Sequence, residues 1–173
     1  SFGAQGITIH PRPDQRHIRY DDALALPAVL TTEFNIEGNP IPKFIDLVLQ
    51  IQPDQVTLVP DSEDVVTSNA GWDTIKYKDF LAEVISEFQS HGIRTSIFVD
   101  PIEKMVEGAK NTGTDRIELY TEAYAQNFKI NPEKAIAPYT QAAMLANDLG
   151  IGINAGHDLN LENMAFFAQN ILN

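Results

Sequence analysis

Short apolar runs rich in β-branched residues alternate along the chain with longer amphipathic stretches. The apolar runs predict six strands, at Gly6–His10, Glu33–Glu37, Gln55–Pro60, Arg94–Asp100, Arg116–Thr121 and Gly150–Ala155. The amphipathic stretches predict six helices, near Asp21–Leu30, Pro42–Ile51, Thr74–Ser90, Pro101–Asn111, Pro132–Leu149 and Asn160–Leu172. A strand followed by a helix, repeated in this way, predicts a parallel sheet with right-handed crossovers.

Such a sheet is either open and doubly wound or closed into a barrel, and the strand ends favour the barrel. Polar or ionisable residues stand at or just after the carboxyl end of nearly every predicted strand. An open sheet concentrates its ligand site at one switch point, whereas all strand ends of a barrel converge on one mouth. A complete TIM (β/α)8 barrel has about 250 residues, and this chain has 173. We therefore expect a single domain, residues 1–173, that forms the central part of such a barrel, with a strand on either side of this sequence.

Composition narrows the classes of function. The chain carries 24 acidic and 12 basic side chains, a formal charge of −12, which disfavours nucleic acid or an anionic membrane as a partner because both select clustered Lys and Arg. The absence of cysteine from the sequence excludes a disulfide, a thiolate metal site and a cysteine nucleophile. No apolar run is long enough to span a membrane, and residues 1–30 lack a signal-peptide pattern. We expect a cytoplasmic protein that binds small molecules.

The strongest chemical signal is the segment 10–19, directly after the first predicted strand. It holds three of the five arginines and two of the four histidines of an otherwise acidic chain. Guanidinium groups offer planar paired donors to phosphate, and histidine moves protons near neutral pH. The segment is either a phosphate-binding loop with an acid/base residue, His10, at its base, or a solvated loop whose charges pair with Asp14, Asp21 and Asp22.

Further acid/base candidates stand on other strands. The segment Asn154-Ala155-Gly156-His157-Asp158 follows the last strand, and its small residues would let a ligand approach the backbone beside His157. The alternative is a structural turn with an exposed histidine. Glu37 and Glu118 lie among apolar strand residues, where a carboxylate must be paired or hold its proton more tightly. Each is a candidate general base or charge stabiliser, or a member of a structural salt bridge.

The remaining signals concern a loop and two chemistries that the residues do not favour. Residues 65–73 are long for a strand-to-helix connection and rich in small polar side chains, which suits a mobile lid over the mouth or a surface loop anchored by Trp72.

None of the seven lysines lies on a predicted strand, which argues against a lysine-imine aldolase. A metal-dependent aldolase or epimerase would need His10, His157 and a glutamate from distant units. The residues favour proton transfers on a phosphorylated, carbonyl-bearing substrate.

Ordered motifs extend over essentially the whole chain. They are Gly6–Arg12 with Arg16-His17-Ile18, Phe34–Glu37, Leu58-Val59-Pro60 with Val66-Thr67, Ile117–Thr121 with Tyr124-Ala125, and Asn154–His157. Together they resemble the PdxJ family of pyridoxine 5'-phosphate synthases. The resemblance implies a TIM barrel, a homo-octamer and no metal or organic cofactor. It also implies a transferase of vitamin B6 biosynthesis that condenses 1-deoxy-D-xylulose 5-phosphate with 3-amino-2-oxopropyl phosphate to pyridoxine 5'-phosphate, phosphate and water.

The resemblance implies catalytic roles for four residues. His10 and Glu37 match the family's proton acceptors, and His157 matches its proton donor. Glu118 matches the acid credited with stabilising the transition state.

The resemblance implies binding roles for four more. Arg12, His17 and Thr67 match the residues that bind the deoxyxylulose phosphate. Asp158 occupies the position that contacts the phosphate of the amino ketone and that is often glycine in the family. The family's first strand and final phosphate-binding turn have no counterpart here, so we expect that this chain alone does not close a barrel. The competing hypothesis is an inactive barrel fragment with a structural or assembly role.

Overall fold

The computed structural model describes residues 4–60 and 70–171. Within these ranges the strands are β1 (Gly6–Ile9), β2 (Glu33–Gly38), β3 (Gln55–Leu58), β4 (Arg94–Val99), β5 (Arg116–Leu119) and β6 (Gly152–Ala155). The helices are α1 (Tyr20–Ala25), α2 (Pro42–Ile51), α3 (Lys78–Ser90), α4 (Glu103–Thr112), α5 (Glu122–Phe128), α6 (Pro132–Asp148) and α7 (Met164–Asn170), with a 3-10 helix at Leu26–Ala28.

The strands form one parallel sheet in chain order, β1-β2-β3-β4-β5-β6. The sheet is curled, because Glu37 on β2 and Glu118 on β5 are hydrogen-bonded although two strands lie between them. The predicted alternation of strand and helix is therefore confirmed, and so is the partial barrel. Among the described residues, β1 and β6 form the two edges of the sheet.

The apolar core lies between the sheet and the helices. Side chains alternate between the two faces of a strand, and the positions that face the helices are apolar and fully buried, as at Ile36, Val56, Ile97 and Ile117. They pack with helix residues such as Val48, Leu81, Val106 and Ala142. The opposite, concave face carries mainly polar side chains. The sheet therefore separates the apolar core, which it shares with the helices, from a polar lumen on its concave face.

Local capping explains where the helices begin and end. Asn131 accepts a hydrogen bond from the Lys134 N–H at 2.9 Å and Pro132 follows it, which confirms the predicted start of α6. The predicted start of the third helix at Thr74 is wrong. Asp73 accepts from the N–H groups of Ile75 and Lys76 and so caps a separate turn, and α3 begins four residues later.

Helix α5 is not predicted from the sequence, where the fifth strand is expected to extend to Thr121. Its seven residues begin after a two-residue connection to β5 and form an extra helix before α6. Tyr124 is fully buried, and its ring packs against Tyr139 and Phe167 with ring centroids 5.8 and 5.1 Å apart. So short a helix has no clear period in the sequence, and this tertiary packing stabilises it.

The predicted lid is described only at its end. Residues 61–69, which include Thr67, lie outside the described residues. Trp72 is buried, and its backbone N–H donates to the Phe98 carbonyl at 2.8 Å. Gly71 lies against the β4 end so closely that a Cβ atom there would be 2.4 Å from backbone atoms. No helix in the described part of the chain is long and apolar enough to cross a bilayer.

Candidate active site

A cavity of about 1010 Å³ occupies the concave face of the sheet and reaches the carboxyl ends of the strands. Six of the eight predicted site residues line it: His10, Arg12, His17, Glu37, Glu118 and His157. Thr67 lies outside the described residues, and Asp158 is not among the described residues that line the cavity. Strand ends that are far apart in the sequence therefore meet in one place, as expected for a barrel mouth.

Two carboxyl groups meet inside the cavity. Glu118 is only 8% exposed, and its side chain is hydrogen-bonded to that of Glu37. Burial raises the pKa of Glu118 to about 7, and the hydrogen bond with Glu37 acts in the opposite direction. Two carboxyl groups form a hydrogen bond only when one of them carries a proton. The pair therefore stores a proton at a pH where an ordinary glutamate is ionised.

His10 and Arg12 stand beside this pair at the end of β1. Ile9 is in register with Ile36 on β2, so the next residue along each strand places His10 beside Glu37. Arg12 is only 6% exposed although it lies in a loop. Its guanidinium is therefore held in the wall of the cavity, where a charge is more effective than in water.

Two other arginines of the loop are paired with acids, as one of the two readings of segment 10–19 expects. Arg16 forms an ion pair with Asp14 at 3.5 Å, and Arg19 forms one with Asp22 at 3.0 Å. Arg19 and Asp22 also cap the start of α1. These two arginines support the loop, and Arg12 and His17 line the cavity.

Two aromatic rings contact the His157 ring. The Tyr120 ring meets it edge-on, with ring centroids 5.2 Å apart and an angle of 84°, and Phe98 lies at 6.1 Å. The Nδ1 atom of His157 is 2.6 Å from Oδ2 of Asp158. Thr121, which is fully buried, donates its hydroxyl hydrogen to the His157 carbonyl. Ring and backbone of His157 are thus both held in place.

The turn after β6 has a defined backbone conformation. Asp158 adopts a φ of +62°, in the left-handed region that favours glycine and that Asp and Asn tolerate best among other residues. Asn163, which is buried, donates to the Asp158 carbonyl at 3.3 Å and accepts from the Asn160 N–H at 2.8 Å. Asn163 is not among the site residues predicted from the sequence, because its burial and its hydrogen bond to Asp158 depend on the folded turn.

The sequence profile of the family described as "Pyridoxal phosphate biosynthesis protein PdxJ" matches residues 1–173. The chain belongs to the PdxJ family. It is 67% identical over 170 residues to the pyridoxine 5'-phosphate synthase of Flavobacterium johnsoniae, and the match covers 98% of this chain and 72% of that protein. It is 62% identical over 171 residues to the synthase of Christiangramia forsetii, covering 99% of this chain and 72% of that protein.

The fold of this PdxJ chain is similar to that of a solved barrel enzyme. The deoxyribose phosphate aldolase from Aeropyrum pernix superposes with a TM-score of 0.64, over 89% of this chain and 68% of that chain. The sequence identity is 14%, so this likeness concerns the fold alone.

A polar network lies deeper in the lumen of the PdxJ chain, below the acid/base groups. Arg94 forms an ion pair with Glu33 and donates to Gln55 at 2.7 Å, and Gln55 donates to Asn35 at 3.3 Å. These residues are not among the site residues predicted from the sequence. The sequence does indicate a polar face of the sheet, because polar residues occupy every second position of the strands, as in Asn35-Ile36-Glu37.

A second network supports the strand that carries the His157 turn. Arg116 donates to the Asn154 side chain at 2.7 Å and to the Ile153 carbonyl at 2.6 Å. Arg116 crosses β6 so closely that a Cβ atom at Gly152 would be 2.4 Å from its Nη1 atom. Glycine at 152 therefore allows the arginine to reach across. Among the described residues, no group of three or more His, Asp or Glu side chains is arranged to hold a metal ion.

Proposed function

We propose that this PdxJ chain condenses 1-deoxy-D-xylulose 5-phosphate with 3-amino-2-oxopropyl phosphate to form pyridoxine 5'-phosphate, phosphate and water. The observation that carries the proposal is the Glu37–Glu118 pair, which lies in the same cavity as His10, Arg12 and His157. The relatives named pyridoxine 5'-phosphate synthase, at 62% and 67% identity, support it.

The phosphorylated ends of the substrates require cationic or N–H partners. Arg12 and His17, with Thr67, bind the phosphate of the deoxyxylulose substrate. Arg12 suits this role because a buried guanidinium donates paired hydrogen bonds to phosphate oxygens. Position 158 contacts the phosphate of the amino ketone, as the family resemblance implies, and we assign this contact to its backbone N–H.

The reaction requires both removal and delivery of protons. The amine of one substrate and the ketone of the other form an imine with each other, which releases water and needs no lysine of the protein. Ring closure and the departure of phosphate then require a base at carbon and an acid at oxygen. Glu37 and His10 act as the bases, and His157 acts as the acid.

Glu118 supports the base Glu37. It is the more buried of the two carboxyl groups, and its burial favours one proton shared within the pair in the resting site. The hydrogen bond between the two carboxyl groups holds Glu37 in position. When negative charge develops on the substrate, the same proton is available to stabilise it.

The test is product formation by the full-length protein from the two purified substrates, after exhaustive treatment with EDTA. We expect pyridoxine 5'-phosphate to form without added metal. Glu37→Gln keeps the shape of the side chain and removes the base, so it should lower turnover at least about 100-fold. The matched control is Glu83→Gln, which changes an exposed glutamate of α3.

Two results would contradict the proposal. Activity that is lost with EDTA and restored by one divalent ion would indicate the metal-dependent alternative. Unfolding of the Glu37→Gln variant, or turnover within a few-fold of the wild type, would make Glu37 a structural residue. A folded full-length protein that releases no product would favour the assembly role.

We also propose that the protein is a cytoplasmic homo-octamer, as the resemblance implies. Two large apolar side chains support an assembly, because Ile130 is 81% exposed and Leu161 is 93% exposed in the single chain. The mass of the full-length protein in solution, measured by light scattering, tests the number of subunits.

A further inference from the structure

The carboxylate of Asp158 contacts the His157 ring. Its Oδ2 atom is 2.6 Å from Nδ1 of His157, a short distance for a charge-assisted hydrogen bond. Asp158 is not among the described residues that line the cavity, whereas His157 is. The carboxylate of Asp158 is therefore engaged with the imidazole of His157, which itself lines the cavity.

The rest of the turn keeps this contact in place. The hydroxyl of Thr121 donates to the His157 carbonyl, and the amide of Asn163 donates to the Asp158 carbonyl. The Tyr120 ring stands edge-on to the imidazole. The backbones of His157 and Asp158 are both held, and one flank of the imidazole is covered. The Asp158 side chain therefore determines which ring nitrogen of His157 carries the hydrogen.

We infer that Asp158 is a positioning residue: its carboxylate accepts a hydrogen bond from Nδ1–H of His157 and leaves Nε2 as the nitrogen that exchanges a proton with the substrate. The inference rests on the proposed function and deepens it, because that function makes His157 the proton donor. Nothing in the family resemblance assigns this role to position 158.

The chemistry of a histidine donor explains the value of the contact. With Nδ1 carrying a hydrogen, a neutral imidazole can only accept at Nε2, so a proton donor must be the doubly protonated ring. A carboxylate at Nδ1 holds the ring in one orientation and stabilises its positive charge, as the buried aspartate does in serine-protease triads. His157 then presents its transferable proton in one direction only.

The backbone at 158 accommodates glycine as well as aspartate. A φ of +62° costs glycine nothing and costs aspartate little, so either residue forms the turn. A phosphate contact from the backbone N–H is available to both. Only aspartate adds the carboxylate, and its engagement with Nδ1 keeps that negative charge from facing the phosphate.

The experiment compares Asp158→Gly and Asp158→Asn in the full-length protein. The glycine variant keeps the turn and removes the acceptor, whereas the asparagine variant keeps a neutral acceptor. We expect Asp158→Gly to lower kcat about tenfold, with KM for 3-amino-2-oxopropyl phosphate within about twofold of the wild type. The kcat of Asp158→Asn should lie between that of the wild type and that of Asp158→Gly.

The matched control is Gln52→Gly. Gln52 is exposed, follows α2 with a φ of +52°, and lies away from the cavity. This variant introduces the same residue at the same kind of backbone position, so we expect kcat and KM to stay at wild-type values. An equal fall of kcat in Gln52→Gly would attribute the effect to chain flexibility and overturn the inference.

Two kinetic outcomes at position 158 also overturn it. If Asp158→Gly leaves kcat unchanged, the contact does not position the donor. If it lowers KM with kcat unchanged, the carboxylate faces the substrate phosphate and repels it.

A spectroscopic measurement tests the contact without relying on activity. With 15N-labelled histidine at alkaline pH, the resonances assigned to His157 should report the Nδ1–H tautomer in the wild type and in Asp158→Asn, and a mixture in Asp158→Gly. Identical resonances in all three proteins contradict the inference. A wild-type protein that shows the Nδ1–H tautomer but forms no pyridoxine 5'-phosphate would refute the proposed function and leave the contact intact.

Discussion

Replacement of Glu118 by glutamine tests the carboxyl pair directly. Glutamine has the same shape, is always neutral, and can donate its amide hydrogen to the Glu37 carboxylate. The variant therefore mimics a Glu118 that never loses its proton. Because Glu118 is only 8% exposed, the difference between the two proteins should appear where the wild-type side chain is forced to ionise.

The pH dependence follows from burial. The pKa of Glu118 is raised from 4.5 to about 7 in the folded protein, so the unfolded chain loses this proton first as the pH rises. The stability that Glu118 contributes is fully present below pH 4.5 and is lost as the pH rises to about 7. A tenfold change in an acid constant is worth about 1.4 kcal/mol, so the loss is about 3 to 4 kcal/mol. Glu118→Gln should not show it.

The assay is urea unfolding of wild type and Glu118→Gln across this pH range, at one fixed protein concentration because assembly contributes to stability. We expect the two free energies of unfolding to agree within about 1 kcal/mol at acidic pH, and the variant to be the more stable above neutrality. Glu107→Gln, which changes an exposed residue of α4, should follow the wild type throughout. A pH dependence of Glu118→Gln that matches the wild type would refute the reasoning.

Two further substitutions separate binding from chemistry. Arg12→Ala removes a buried guanidinium from the cavity wall and should raise KM for the deoxyxylulose phosphate about 10- to 100-fold, with Arg16→Ala as the control on an arginine paired with Asp14; an unchanged KM with lower turnover would contradict the role. His157→Asn should lower turnover at least about 100-fold with the fold intact, because it removes the proton donor. The control His91→Asn, at the end of α3, should leave turnover unchanged. A His157→Asn turnover that stays within a few-fold of the wild type would exclude His157 as the donor.

The sequence by itself determined the order of the elements. β-Branched apolar runs predicted all six strands of the described residues, and amphipathic stretches predicted helices between them. Both patterns are readable because the period of apolar residues is a local property of the chain. Local capping was readable as well, as at Asn131 and at Gly150, whose φ of +67° ends the α6 turn. Helix α5 was not readable, because its stability comes from the buried contacts of Tyr124.

The convergence of the candidate site was also predictable in outline. Once parallel strands are assigned, their carboxyl ends must lie on one side, so His10, Glu37, Glu118 and His157 could be grouped from the sequence. Their positions around one cavity agree with that grouping. Motif order added the expected roles of these residues, which local patterns alone left open between catalysis and structure.

Only the tertiary structure decided how the side chains are paired. Glu37 and Glu118 are 81 positions apart in the numbering and meet across two intervening strands because the sheet curls. In one loop, Arg12 is buried in the cavity wall whereas Arg16 pairs with Asp14. The Asp158 carboxylate contacts His157 in a turn that Thr121 and Asn163 hold in place. Burial, charge pairing and proton affinity depend on neighbours brought together by folding, and a local sequence pattern carries no record of those neighbours.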